Sequence, residues 1–328
     1  MTATVKILDS HPMSQVEMRF AYADALIKAA REDARVVSVN CDLSSSTGTV
    51  PFTSEFPDRS FNVGIQEANG CGVAAGLSAT GWIPFYHSFA VFSSRRICDQ
   101  IFQSCAYAGL NVKIIGGDAG VSATYNGGTH MAFEDVGVLR SIPEITIVEP
   151  SDTVMMAALV PLIRDIYGVV YMRSPRKQVP DVYPPGTTFT LGKAALLREG
   201  SDVSLIASGM LVTEALAAAD MLAAEGISAR VVDMFTIKPI DRDNVIECAE
   251  RTGAIVTAEN HNIIGGLGSA VAEVLSEECP TPLARVGVRD HFGEVGTQDY
   301  LMEKFGLTAN DIRSKAKEVI ARKKAGTP

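Results

Sequence analysis

Short β-branched runs alternate with longer helical patterns along nearly the whole chain, and this constrains the fold more than any other feature. Arg35 to Cys41, Phe61 to Ile65, Trp82 to Tyr86, Val112 to Gly117, Ile145 to Pro150 and Val169 to Arg173 read as strands. Between them, Met13 to Ala30, a Gly/Ala-rich segment opening at Glu67, Arg95 to Ala108, Glu134 to Arg140 and Thr153 to Arg164 read as helices. In the first helix Met18, Tyr22, Ala25, Leu26 and Ala29 fall near one face. The stretch DLSSSTGT after Cys41 reads as a loop, because turn and cap residues fill it. Strands and helices in this order build βαβ units, and therefore a largely parallel sheet.

Residues 174–186 (SPRKQVPDVYPPG) contain four prolines, which favour extended chain and lack a donor. A linker is therefore placed at residues 176–190, between a domain spanning residues 1–175 and a smaller α/β domain spanning residues 191–328. In the latter, Asp202 to Gly209, Ala229 to Met234, Ala254 to Asn260 and Arg285 to Val288 read as strands. Val212 to Glu225, Asp243 to Arg251, Leu267 to Glu278 and Ala309 to Lys323 read as helices. Two domains suit 328 residues, and 47% hydrophobic residues exclude disorder as the dominant state.

Charge and cysteines narrow the function classes. With 29 basic against 38 acidic residues the net charge is −9, which argues against non-specific nucleic-acid binding. The six cysteines show no CxxC pair and no zinc-ligand spacing, which fits reduced thiols in a cytoplasm. No secretory signal and no membrane-length apolar stretch is visible, so the expectation is a soluble cytoplasmic protein without membrane contact.

Three stretches could carry chemistry. In FNVGIQEANGCGVAAG, Glu67 stands where a strand gives way to a helix, the edge at which doubly wound sheets bind ligands. Taken alone, an exposed first-turn carboxylate favoured by the helix dipole accounts for it at least as well. Gly70, Gly72 and Gly76 remove bulk from that helix, which suits close packing against another helix. In YNGGTHMAFED, His130 follows a glycine pair; a proton-transfer role and a structural hydrogen bond are both open. Phe85, Tyr86, Phe89 and Phe92 are either core or a planar-ligand site, and Arg95 and Arg96 follow at once. The glycine turns at Gly116-Gly117 and after His261 match no phosphate-binding spacing and read as tight turns.

The ordered blocks FNVGIQEANGCGVAAGLS, FYHSFAVFSSRRICDQ, GGTHMAFEDVGVLRSIPEITIVEPSD, VVYMRSPRK, ENHNIIGGLGSAVAE and HFGEVGTQDYLMEKFGLT resemble transketolase. More narrowly, from about Met18 to Ile320 they resemble the C-terminal subunit of split, two-gene transketolases. The resemblance implies a thiamine-diphosphate-binding pyrimidine domain, its parallel sheet flanked by helices, and the family's smaller C-terminal α/β domain. It implies transfer of a ketol unit from a ketose or its phosphate to an aldose or its phosphate. No GDG motif followed by Asn is present, so the Mg²⁺ or Ca²⁺ ligands would come from an N-terminal partner subunit, in an α2β2 assembly.

The same resemblance assigns residues. Glu67 corresponds to the glutamate at N1′ of the cofactor's aminopyrimidine, Phe92 to the aromatic stacked on that ring, and Phe89 to the same pocket. Asp42 falls in the cofactor pocket. His130 corresponds to a histidine near the 4′-amino group and the donor oxygen. Arg173 corresponds to an arginine clasping substrate phosphate, with Arg19 and Ser46 near other phosphate positions. The departures are Asn126 where an acidic residue contacts the donor, Gly117 or Asp118 where the family has a histidine, and Arg95 where a stacking tyrosine is frequent. They leave an unusual donor open. A 2-oxo acid dehydrogenase beta chain, a 1-deoxyxylulose-5-phosphate synthase and a non-catalytic partner-binding half are the alternatives.

Overall fold

The computed structural model describes residues 4–326; residues 1–3 and 327–328 of the two expected domains lie outside the described residues. Strands in chain order are β1 (Val36–Asn40), β2 (Ser60–Asn62), β3 (Ile83–Phe89), β4 (Lys113–Gly117), β5 (Thr146–Val148), β6 (Val170–Ser174), β7 (Ala195–Arg198), β8 (Val203–Ala207), β9 (Ala229–Asp233), β10 (Thr236–Lys238), β11 (Ile255–Asn262) and β12 (Leu283–Val288). A seven-stranded sheet has the order β10-β5-β6-β4-β3-β1-β2, and a five-stranded sheet the order β12-β11-β8-β9-β7. Among the described pairs of named strands, only β10–β5 and β7–β9 are antiparallel.

Central strands such as β1 and β6 are buried along their whole length, as parallel strands covered on both faces must be. Helices Met18–Glu32 and Thr153–Asp165 cover one face of the larger sheet and continue into a core shared with the second sheet. The Glu67–Ala79 helix lies on the other face, with Cys71, Ala74 and Ala75 in a core that also holds Tyr86 and Tyr171. Asp152 caps the Thr153–Asp165 helix through Met155 N–H (2.8 Å). Its other oxygen accepts from Val182 and Tyr183 N–H, each at 2.8 Å. One carboxylate thus caps a helix and holds the proline-rich stretch against it.

The structure departs from the sequence reading in several places. Arg95 to Ala108 is not one α-helix: a 3-10 turn, a single α-turn and a π-helix at Ile101–Tyr107 follow one another. Inside DLSSSTGT, Ser44–Thr47 forms a short helix, followed by Val50–Glu55. The helix expected from Met13 begins at Met18, and the strand expected at 61–65 ends at Asn62. Strands β7 and β10 and the helix Gln298–Phe305 were not anticipated. Strand β10 matters most: residues beyond the proline-rich stretch supply an edge of the first sheet.

Arg173 requires a correction. Its side chain is completely buried on β6, so it is not available to clasp a substrate phosphate. Its Nε binds Asp135 (2.8 Å) and its Nη1 binds Glu149 (2.7 Å). Its Nη2 donates to the carbonyls of Asn260 (3.0 Å) and Ala132 (3.3 Å). Tyr171 Oη donates to the same Asp135 oxygen as Arg173, and Ser208 Oγ donates to the second oxygen of Glu149, each at 2.7 Å. The group joins β6 to β11 of the other sheet. Removing the cation strands two buried carboxylates, so Arg173→Met is expected to lower stability by about 3–5 kcal/mol in urea denaturation, whereas Arg242→Met, which breaks two exposed pairs with Glu277 and Glu278, should cost less than about 1 kcal/mol.

Candidate active site

The parallel order β6-β4-β3-β1-β2 places five carboxyl ends along one edge of the sheet. Arg176 follows β6, Asp118 follows β4, Phe89 ends β3 with Phe92 just beyond, Asp42 follows β1, and Glu67 lies five residues past β2. Sites in open parallel sheets form at this edge, because loops leaving neighbouring strands diverge there.

Glu67 is the first residue of its helix and is only 4% exposed. The exposed-carboxylate alternative is thereby excluded. Among the described residues its carboxylate pairs with Arg96 Nε at 3.5 Å. Behind it lie Tyr86, whose hydroxyl donates to the Glu67 carbonyl (3.4 Å), and Cys41, whose thiol burial pushes up to about 11. A buried carboxylate with so few partners retains capacity for a donor from a ligand.

Phe89, Phe92 and His130 form an aromatic group. The His130 ring meets Phe92 edge-on at 5.4 Å and Phe89 at 5.9 Å between centroids, and the two phenyl rings lie 6.4 Å apart. His130 Nδ1 lies 3.0 Å from Thr129 Oγ1. The loop carrying it is held from the second domain: a Cβ on Gly128 would stand 2.1 Å from the Gly293 carbonyl oxygen, so only glycine permits that approach. Thr124, a β-branched residue with φ 45°, marks backbone strain at the start of the loop.

A neighbouring cleft is lined by Arg19, Ser46, Phe89, Asp118 and Arg176. Arg176 Nη2 lies 3.2 Å from Asp118 Oδ2, to which Asn126 Nδ2 donates at 3.3 Å. Arg19 Nη1 donates to the Ser45 and Ser46 carbonyls at 3.2 and 3.4 Å. Gly48 allows this, since its φ is 75° and a Cβ there would stand 2.7 Å from the Arg19 carbonyl oxygen. Phe89 belongs to both groups, and Arg176 stands 6.0 Å from the centre of its ring.

Other predicted residues lie at the rim. Arg95 is half exposed and pairs with Glu134 at 2.7 Å. Asp42 is exposed and exchanges two 3.1 Å hydrogen bonds with Asn62. The sequence reading does not single out Arg176, although it stands two residues past the end of β6 at Ser174, where a side chain reaches the ligand edge rather than the core. Among the described residues, no group of three or more His, Cys, Asp or Glu side chains could hold a metal ion, and no helix is long and apolar enough to cross a membrane.

Comparison with known proteins places these geometries in context. Residues 14–181 match the family model of the transketolase pyrimidine binding domain, and residues 192–312 that of the transketolase C-terminal domain. The chain is 52% identical over 306 residues to the 6-deoxy-6-sulfo-D-fructose transketolase subunit SqwH of Clostridium sp. (strain MSTE9), covering 93% of this chain and 95% of that one. It is 37% identical to an apulose-4-phosphate transketolase subunit of Phocaeicola vulgatus, covering 94% and 99%. The solved structure described as "Split gene transketolase, inactive beta4 tetramer" superposes with a TM-score of 0.88 at 46% identity, covering 94% of this chain and 99% of that one.

Burial pushes the Asp118 carboxyl up to about 6, against the pull of Arg176, Lys177 and Arg19. With a folded value above the unfolded one near 3.9, the fold binds the extra proton, so this group's contribution to stability is lost as pH rises from about 4 to about 6. Asp118→Asn removes that loss. In urea denaturation from pH 4 to 7 the variant is expected to gain on the wild type across this window, by up to about 3 kcal/mol. A stability difference independent of pH contradicts this assignment.

Proposed function

The chain belongs to the transketolase family, and we propose that it is the pyrimidine-binding half of a two-subunit, thiamine-diphosphate-dependent enzyme that moves a ketol unit from a ketose to an aldose. The observation that carries this reading is Glu67, a carboxylate buried at the ligand edge with one long contact. In the same reading the chain divides into a pyrimidine-binding domain up to residue 175, a linker and a C-terminal domain from residue 191.

Bound thiamine diphosphate would supply the nucleophilic carbon that takes up the ketol unit and releases it to the acceptor. The residues present fit its pyrimidine ring. Phe92 and Phe89 offer aromatic surface, and Glu67 Oε2 is an acceptor held away from water. In that dry setting the carboxylate accepts a hydrogen bond from a ring N–H and so fixes where the ring's proton resides. His130, set edge-on to both phenylalanines, is placed to give or take a proton at a substrate oxygen. Asn126 orients Asp118 as a hydrogen-bond donor, whereas a carboxylate there would repel it. Arg176 takes the anion-binding role first given to Arg173, with Arg19 and Ser46 across the same cleft.

The pyrophosphate and its divalent metal, Mg²⁺ or Ca²⁺, would be held by an N-terminal partner subunit, in an assembly with two copies of each chain. The lengths of the relatives support this: the subunit-named relatives are covered over 95% and 99% of their length, but a 1-deoxy-D-xylulose-5-phosphate synthase of Heliobacterium modesticaldum over only 46%. The two subunit-named relatives carry different donor sugars in their names, so the donor here is a ketose with an anionic end group rather than one fixed by the family.

Two outcomes test the reading. Glu67→Gln, mixed with the partner subunit, is expected to fold with an unchanged melting temperature but to lose at least about 10²-fold in ketol-transfer rate. Retention of the wild-type rate would remove Glu67 from the mechanism. In calorimetric titration with thiamine diphosphate and Mg²⁺, tight binding is expected only when both subunits are present. Equally tight binding by this chain alone contradicts the shared site.

A further inference from the structure

The cleft beside the aromatic group is short of positive charge. Arg176 faces Asp118 at 3.2 Å. Arg19 and Lys177 both reach Glu17, at 2.6 and 3.0 Å. Backbone pairing of Met18 and Arg19 with the Lys177 and Arg176 carbonyls holds these two segments side by side next to the cleft. Among the side chains that line the cleft, the guanidiniums of Arg19 and Arg176 stand against one carboxylate, Asp118, which leaves one unit of positive charge. The cleft also holds one unmet acceptor and one unmet donor. Asp118 Oδ1 and Arg176 Nε are buried and have no hydrogen-bond partner among the described residues. A ligand that presents a hydroxyl to the first and an anionic oxygen to the second satisfies both.

A phosphate monoester carries about −1.5 to −2 charges at neutral pH. A sulfonate carries one charge and offers acceptor oxygens only. The single uncompensated positive charge matches the sulfonate. The second charge of a phosphate would lie close to Asp118, in a setting where screening is weak and like charges repel strongly.

We propose that Asp118 selects the charge of the donor's terminal group, admitting a ketose that ends in a singly charged sulfonate and disfavouring one that ends in a doubly charged phosphate. This rests on the reading of the chain as a ketol-transfer subunit, and it adds a specificity-determining residue to it. Asp118 acts on donor choice, whereas Glu67 acts on the reaction itself, so the two can be separated by experiment.

The test uses this chain mixed with its partner subunit at about pH 8, where the phosphate ester is doubly charged. The donors are 6-deoxy-6-sulfofructose and fructose 6-phosphate. Wild type is expected to favour the sulfonate in kcat/KM. Asp118→Asn, which keeps shape and tolerates the left-handed backbone (φ 58°), is expected to shift the sulfonate-to-phosphate ratio at least about tenfold toward phosphate. Asp118→Glu should keep the wild-type order. A ratio unmoved by Asp118→Asn, or a wild type that favours phosphate, overturns the proposal. If neither donor turns over, it is the ketol-transfer reading that has failed, and charge selection is then judged by calorimetry of the full chain with ethanesulfonate and ethyl phosphate. Tighter sulfonate binding that Asp118→Asn abolishes supports the proposal, and equal binding of the two anions overturns it.

Discussion

The parallel register of β6, β4, β3, β1 and β2 is the constraint on which the candidate site depends. Each strand leaves the sheet at the same edge, and each contributes one or two polar or aromatic side chains within a few residues of its end. Arg176, Asp118, Phe89 with Phe92, Asp42 and Glu67 come from five separate segments of the sequence. No local motif gathers them. Parallel pairing of the strands does, and Arg173 reinforces it by tying β6 to Asp135, Glu149 and the carbonyl of Asn260 on the second sheet.

Electrostatic restraint runs through the edge. Arg96 faces Glu67, Arg95 pairs with Glu134, Arg176 with Asp118, and Arg19 with Glu17. A strongly cationic cleft would attract any phosphate. One in which each guanidinium already faces a carboxylate selects by geometry and by the last unit of charge, because a ligand must improve on contacts already made. The buried Glu67 differs from the others in that its partner is long and largely exposed, so a ring nitrogen arriving there displaces little.

Much of this is legible in the sequence. The helix Leu267–Glu278 has the bounds its apolar spacing predicts, and Glu67 opens its helix as the strand-to-helix change implies. What was not legible is mostly non-local. Strand β10 has three residues, and its partner β5 lies some ninety positions earlier, so no pattern within the segment announces it. Arg173 takes a phosphate-clasping role from the resemblance alone; Asp135 and Glu149, which justify burying it, are 38 and 24 residues away. Arg176 was overlooked for the converse reason, since in a proline-rich stretch it looked like linker. The π-helix at Ile101–Tyr107 changes hydrogen-bond spacing without changing composition, so sequence periodicity registers only a helix.

The central claim is that Glu67 meets the pyrimidine ring of thiamine diphosphate in a cavity completed by another polypeptide. The most direct measurement is the structure of the mixed subunits with the cofactor bound. The account predicts a Glu67 carboxylate oxygen within about 2.6–3.2 Å of a pyrimidine ring nitrogen, with the face of Phe92 against the ring. A cofactor ring lodged elsewhere, or a Glu67 side chain turned to solvent in that complex, contradicts it.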